Sequence, residues 1–124
     1  MGIDVYLKWD GMTGDEEHAQ CTGFSTVSGD VGYLREAYHG QPYATHELIV
    51  EEWDDEPEDG WAIPNVELIR RLPKIMEACI ERHKKIYHSS DEDIVQYCKA
   101  YIDFINLHNA MEKAGRNPRI HISY

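Results

Sequence analysis

A chain of 124 residues is long enough to bury one hydrophobic core and too short for two independent ones. Its composition, 42% hydrophobic and 28% charged, is ordinary globular usage with no low-complexity tract, so order is expected nearly throughout. The formal charge of −11, from 12 basic against 23 acidic side chains, argues against a broad basic surface and so against passive nucleic-acid binding, since phosphates must be neutralised by Lys and Arg.

In chain order, Ile3, Val5, Leu7 and Trp9 alternate with Asp4, Tyr6, Lys8 and Asp10, the period-two signature of a strand with one buried face. Gly11 and Gly14 break it, and the Thr-, Ser- and Gly-rich stretch to Gly29 reads as loop with one helical turn over residues 15–20. Asp30 is placed to cap a short helix over residues 31–39 that Gly40 and Pro42 would end, with a short strand as the alternative. Residues 47–53, containing Leu48, Ile49 and Val50, read as a strand, and residues 61–63 as a return strand. Between them Glu51, Glu52, Asp54, Asp55, Glu56, Glu58 and Asp59 form a self-repelling, solvated acidic loop without the ligand alternation or central Gly of a calcium loop.

From Pro64 the period becomes 3.6. Leu68, Ile69, Leu72, Ile75, Met76, Cys79, Ile80, His83, Ile86 and Tyr87 make one helical stripe that holds phase across Pro73, which implies a kink rather than a stop; two helices meeting there is the alternative. Ser90 and Asp93 resemble a capping box, and Gly115 with Pro118 closes a second helix over residues 91–114. Its apolar residues cover more than a narrow stripe, so it should be the more buried of the two helices or face a partner chain. Ile120, Ile122 and Tyr124 then alternate with Arg119, His121 and Ser123 as a last strand. These elements make a single α+β domain over residues 1–124: a small mixed or antiparallel sheet including both terminal strands, packed against two long helices of the C-terminal half.

Cys21, Cys79 and Cys98 are odd in number and never spaced as CxxC, so disulfides are not expected; with neither a signal-like start nor an apolar run long enough to span a membrane, a cytoplasmic setting follows. No metal or other cofactor is expected, since HExxH, Walker and GxSxG patterns are missing and His83 and His88 diverge on a helix. A Cys nucleophile would have to be Cys21, the one thiol outside a core stripe, beside a base such as His39 or His121.

If the terminal strands are neighbours, Asp4, Tyr6 and Lys8 lie beside Arg119, His121 and Ser123, giving either a wall that orients a small polar ligand or an ordinary solvated sheet face. The segment 32–45 is dense in recognition chemistry: Tyr33, Tyr38 and Tyr43 offer stacking faces, Arg35 a fork for phosphate or carboxylate, and His39 a titratable donor. Folded over the wall, it would make an enclosed recess; packed by its tyrosines on the core or on a second subunit, it would not.

The opening Gly2-Ile3-Asp4-Val5-Tyr6-Leu7-Lys8-Trp9-Asp10-Gly11-Met12, the block from Gly32 to Thr45 and the closing Ile122-Ser123-Tyr124 resemble a family of small uncharacterised bacterial and phage proteins. The resemblance runs the full chain and implies no catalytic residue. Three functional expectations stand. The first is a homo-oligomeric module that binds a small polar, anionic or nucleotide-like ligand. The second is a small hydrolase or phosphodiesterase-like enzyme using His39 and His121 as acid and base. The third is an interaction or inhibitor protein whose acidic loop meets a basic surface.

Overall fold

The computed structural model of the chain describes residues 2–21 and 29–124. Alternation produces the strands the sequence indicates at both ends, β1 (Gly2–Lys8) and β3 (Arg119–Ser123). A third strand, β2 (Tyr33–Ala37), pairs on the other side of β1, so the sheet order is β2-β1-β3 and both pairings are antiparallel. Ile3, Val5, Leu7, Leu34, Ile120 and Ile122 point to one face and are buried there. The helices cover that face: α3 (Asn65–Lys85) and α4 (Asp91–Lys113) pack on each other and contribute Leu68, Ile75, Cys79, Tyr101, Phe104 and Ile105 to the same core. The fold class is therefore α+β, as the sequence implies, with an all-antiparallel sheet.

The helix α3 runs through Pro73 as one element, and α4 starts where Ser90 Oγ accepts from the Asp93 backbone N–H at 3.2 Å. The helical turn expected near residue 15 is α1 (Gly14–Cys21), and residues 22–28 of that loop lie outside the described residues. So does the side chain of Cys21.

Two assignments change. Residues 31–39 do not form the helix but the short-strand alternative: Asp30 sits in a single 3-10 turn (Gly29–Val31), and Gly32, at φ 84°, turns the chain out of it into β2. The strand is disguised because one of its inward positions is Glu36, a charged residue that breaks the apolar alternation. Residues 47–53 are not a strand either. The short helix α2 (Ala44–Leu48) takes the first half, and a 3-10 turn (Trp53–Asp55) follows. No local side chain caps α2. Its free N–H groups are satisfied from a distance by Glu36, whose carboxylate accepts from Ala44 N at 2.9 Å, Thr45 N at 3.1 Å and Thr45 Oγ1 at 2.6 Å. The return strand at 61–63 reduces to one bridge, in which Trp61 and Ile120 exchange backbone bonds of 2.9 and 3.0 Å along the outer edge of β3.

Candidate functional site

Strand register settles which side chains share the polar face. Asp4 is opposite Arg35 and Ser123, Tyr6 opposite Tyr33 and His121, and Lys8 opposite Arg119. Cross-strand partners point the same way, so Asp4, Tyr6, Lys8, Tyr33, Arg35, Arg119 and His121 stand on one wall, turned away from the helices.

Three carboxylates face the basic side chains of this wall. Arg35 Nη1 donates to both oxygens of Asp4, at 2.8 and 2.9 Å, and Tyr33 Oη donates to Asp4 Oδ1 at 2.5 Å. Burial and this bond to a carboxylate push the Tyr33 phenol well above its usual range, so it remains a proton donor. Arg119 Nη2 donates to Asp10 Oδ1 at 2.9 Å while Asn117 Nδ2 donates to Asp10 Oδ2 at 2.8 Å; these two bonds hold the Asp10 carboxyl below its usual range. His121 Nδ1 lies 3.7 Å from Glu56 Oε1. Lys8 has no carboxylate partner among the described residues; its ammonium stands 5.7 Å from the centre of the Tyr6 ring, which lies 5.3 Å from that of Tyr33.

The rest of the tyrosine-rich segment does not fold over this wall. Tyr33 and Arg35 belong to β2 and widen the sheet, and the chain beyond Ala37 wraps around a side chain on the helical side, Arg82. The Arg82 fork donates to the carbonyls of Ala37, Gly40 and Pro42 and, at 3.2 Å, to Tyr87 Oη, while its Nε is 3.7 Å from Glu36 Oε2. Tyr43 lies under the guanidinium at 4.8 Å and Tyr87 at 5.5 Å. Tyr38 meets Tyr43 edge-on, with ring centres 6.4 Å apart. His39 Nδ1 is 2.7 Å from Tyr87 Oη.

The fold therefore does not bring His39 and His121 together. His39 follows the far end of β2 and engages Tyr87, whereas His121 lies on the opposite edge strand, level with Tyr6 and beside Glu56. The four steps from Gly2 to Tyr6 alone span roughly 13 Å. An acid–base pair needs both groups within hydrogen-bond reach of one reacting atom, and this arrangement lacks that.

Nor is the acidic segment simply a solvated loop. Glu51 receives Arg71 Nη1 and Nη2 at 3.0 and 2.8 Å, Asp54 accepts from Tyr124 Oη at 2.5 Å, and Glu56 accepts from the Ile122 backbone N–H at 2.8 Å. These bonds tether the segment to α3 and to the edge of β3; Glu52, Asp55, Glu58 and Asp59 remain exposed. Spacing along the chain cannot reveal Glu36, Arg82, Asp10 and Glu56 as organising groups, because each finds its partner through tertiary folding.

Two histidines sit inside the helical layer. His83 is stacked between Tyr97, with ring centres 4.0 Å apart, and Tyr87, at 5.1 Å. His108 Nδ1 is 3.1 Å from Asn65 Nδ2. Burial lowers the pKa of both below 6.5, assisted at His83 by the Arg82 charge. A histidine depressed in the folded state contributes stability above its unfolded pKa, and that contribution is lost as pH falls through 6.5 toward the folded value, because the unfolded chain binds the proton first. Urea midpoints should accordingly decline on going from pH 7.5 to 5.5, and less so in His83→Phe; an unchanged decline in that variant would remove His83 from the account.

Among the described residues no group of three or more His, Cys, Asp or Glu is arranged to hold a metal ion, and no helix is long and apolar enough to cross a membrane. No family model, curated protein or solved structure matches the chain.

Proposed function

We propose that the protein is a binding module whose site is the polar face of the sheet, taking a small, flat ligand with an anionic group, of which a nucleotide is one example. The observation that carries this reading is the position of Lys8. Arg35 and Arg119 each have a carboxylate at hydrogen-bond distance, and His121 has one at 3.7 Å, whereas Lys8 has none among the described residues and lies directly across from the cationic Arg119. Like charges directly opposite on a sheet are unfavourable, and an anion between them turns the repulsion into a favourable contact. The neighbouring Tyr6 ring supplies the flat surface for stacking, and Asp4, with its Arg35 and Tyr33 partners, frames the far side. In this reading Arg35 is a positioning group held by Asp4, and Lys8 with Arg119 meets the anion.

Titration with a nucleoside monophosphate, followed by amide chemical shifts, tests it. Shifts should concentrate on Tyr6, Lys8, Arg119 and His121, and Lys8→Glu should weaken binding at least about tenfold, the scale of one charge-assisted hydrogen bond. Shifts confined to other faces, or affinity untouched by Lys8→Glu, would exclude the wall as the site.

A further inference from the structure

Large apolar side chains are exposed unevenly over this molecule. Val66, Ile69 and Ile80 on α3 and Val95, Tyr97 and Ile102 on α4 are all exposed, Val66 and Val95 to 64% each. On α3 the positions 66, 69, 73, 76 and 80 follow the 3-4-3-4 spacing of a coiled-coil seam, and on α4 positions 95, 98 and 102 do the same. Pro73, Met76 and Ile80 line an open trough of about 730 Å³ edged by Glu77, Glu81, Lys84 and Lys85. Scattered exposed hydrophobes need no explanation, but two periodic seams on adjacent antiparallel helices do.

We propose that this face docks a second copy of the same chain, hairpin on hairpin, so that α3 of each protomer lies antiparallel to α4 of the other. Charge selects this occupant. Leaving aside Arg82, which is buried, and Arg71, which is bound to Glu51 and Glu67, α3 carries four basic against three acidic side chains, whereas α4 carries two basic against five acidic. Stacking like helices together would set the acidic α4 on itself, whereas a two-fold axis running along the hairpin sets each α4 against the partner's α3, which carries Lys84 and Lys85. All four neighbouring helix contacts are then antiparallel, the arrangement in which four-helix layers pack.

Rotation about such an axis keeps every residue at its own height. Within one protomer the heights are gauged by His83 stacked on Tyr97 and Asn65 bonded to His108. Lys84 is therefore level with the acidic first turn at Asp91, Glu92 and Asp93, and Glu77 is close to level with Lys99. Both pairs join opposite charges across the dyad. Helices of 21 and 23 residues give a footprint of roughly 600 Å² per partner, the same order as the ~800 Å² of stable associations. The polar sheet faces point outward from such a dimer, so it covers neither ligand wall and this inference stands independently of the wall's function.

Sedimentation equilibrium of the purified chain at about 100 μM should report twice 14.4 kDa. Ile69→Glu and Val95→Glu, at positions exposed in the protomer, should each return the 14.4 kDa species with an unchanged circular dichroism spectrum. Lys84→Glu should weaken association about tenfold, and adding Asp91→Lys should restore it. A wild-type chain that is monomeric at that concentration overturns the proposal. So does a dimer indifferent to Ile69→Glu and Val95→Glu, and a charge swap that restores nothing overturns the pairing of α3 with the partner's α4.

Discussion

Arg82→Met is expected to destabilise the fold by about 3–5 kcal/mol, the range found when one member of a buried ion pair is removed. Against a typical total of about 5–15 kcal/mol this is a large fraction. The side chain is 1% exposed, and its fork ties the backbone carbonyls of the turn after β2 to the end of α3. Methionine fills much of the same volume but donates nothing, so those carbonyls lose their partner. Glu36 meanwhile keeps a buried carboxylate with no counter-charge, because its role at the start of α2 holds it in place. Urea unfolding should show a lower midpoint with little change in slope. Adding Glu36→Gln in the same chain should cost less than it does in the wild type, since the stranded charge is gone; this coupling distinguishes an ion pair from simple packing. Arg82→Lys should fall between, keeping the charge without the span of the guanidinium. A loss below about 1 kcal/mol for Arg82→Met would mean that the turn is held by other contacts.

The same residue pair explains where the fold was legible and where it was not. Strands β1 and β3 and helices α3 and α4 follow directly from period, because along each of them the inward positions are mostly apolar and the outward ones mostly polar. In β2 the inward position 36 is a glutamate, and its compensation lies far along the chain on α3, so the window around residue 36 does not separate a half-buried strand from a short helix. Helix α2 is hidden for the same reason, since its cap is that glutamate rather than a residue next to it. Of the candidate site, the alternation of β1 and β3 groups Asp4, Tyr6 and Lys8 on one face and Arg119 and His121 on another, and the β1–β3 pairing brings the two sets side by side. Tyr33 and Arg35 do join them, but as a third strand in the plane of the sheet; Tyr38, His39 and Tyr43 were drawn away by Arg82. The carboxylates facing Arg119 and His121 depend on loop paths that local patterns do not encode.

Gly29→Ala should be nearly as damaging, by a different mechanism. Gly29 is buried in the 3-10 turn that lies on α4, and its φ is not in the left-handed region, so space rather than conformation decides the outcome. A Cβ there would stand 1.7 Å from the Ala100 carbonyl oxygen, 2.6 Å from its carbon and 3.0 Å from the Phe104 nitrogen. All three are main-chain atoms inside a helix and cannot swing aside, so the turn itself has to lift off α4. That turn delivers β2 to the sheet: Gly32 O accepts from Leu7 N at 2.8 Å, and Tyr33 follows at once with its bond to Asp4. The expected loss is about 3 kcal/mol or more, read as a melting temperature lower by about 10 °C. Gly14→Ala, where a new Cβ meets nothing within 4 Å, is the matched control and should melt with the wild type or slightly above it. Because the damage starts at the entry to β2, Gly29→Ala should also weaken any ligand bound at the sheet face, whereas Arg82→Met, acting at the exit of the same strand, should leave the Tyr6 end of that face closer to normal. Equal melting of the Gly29→Ala and Gly14→Ala variants would show that the turn does not rest on α4 at this distance.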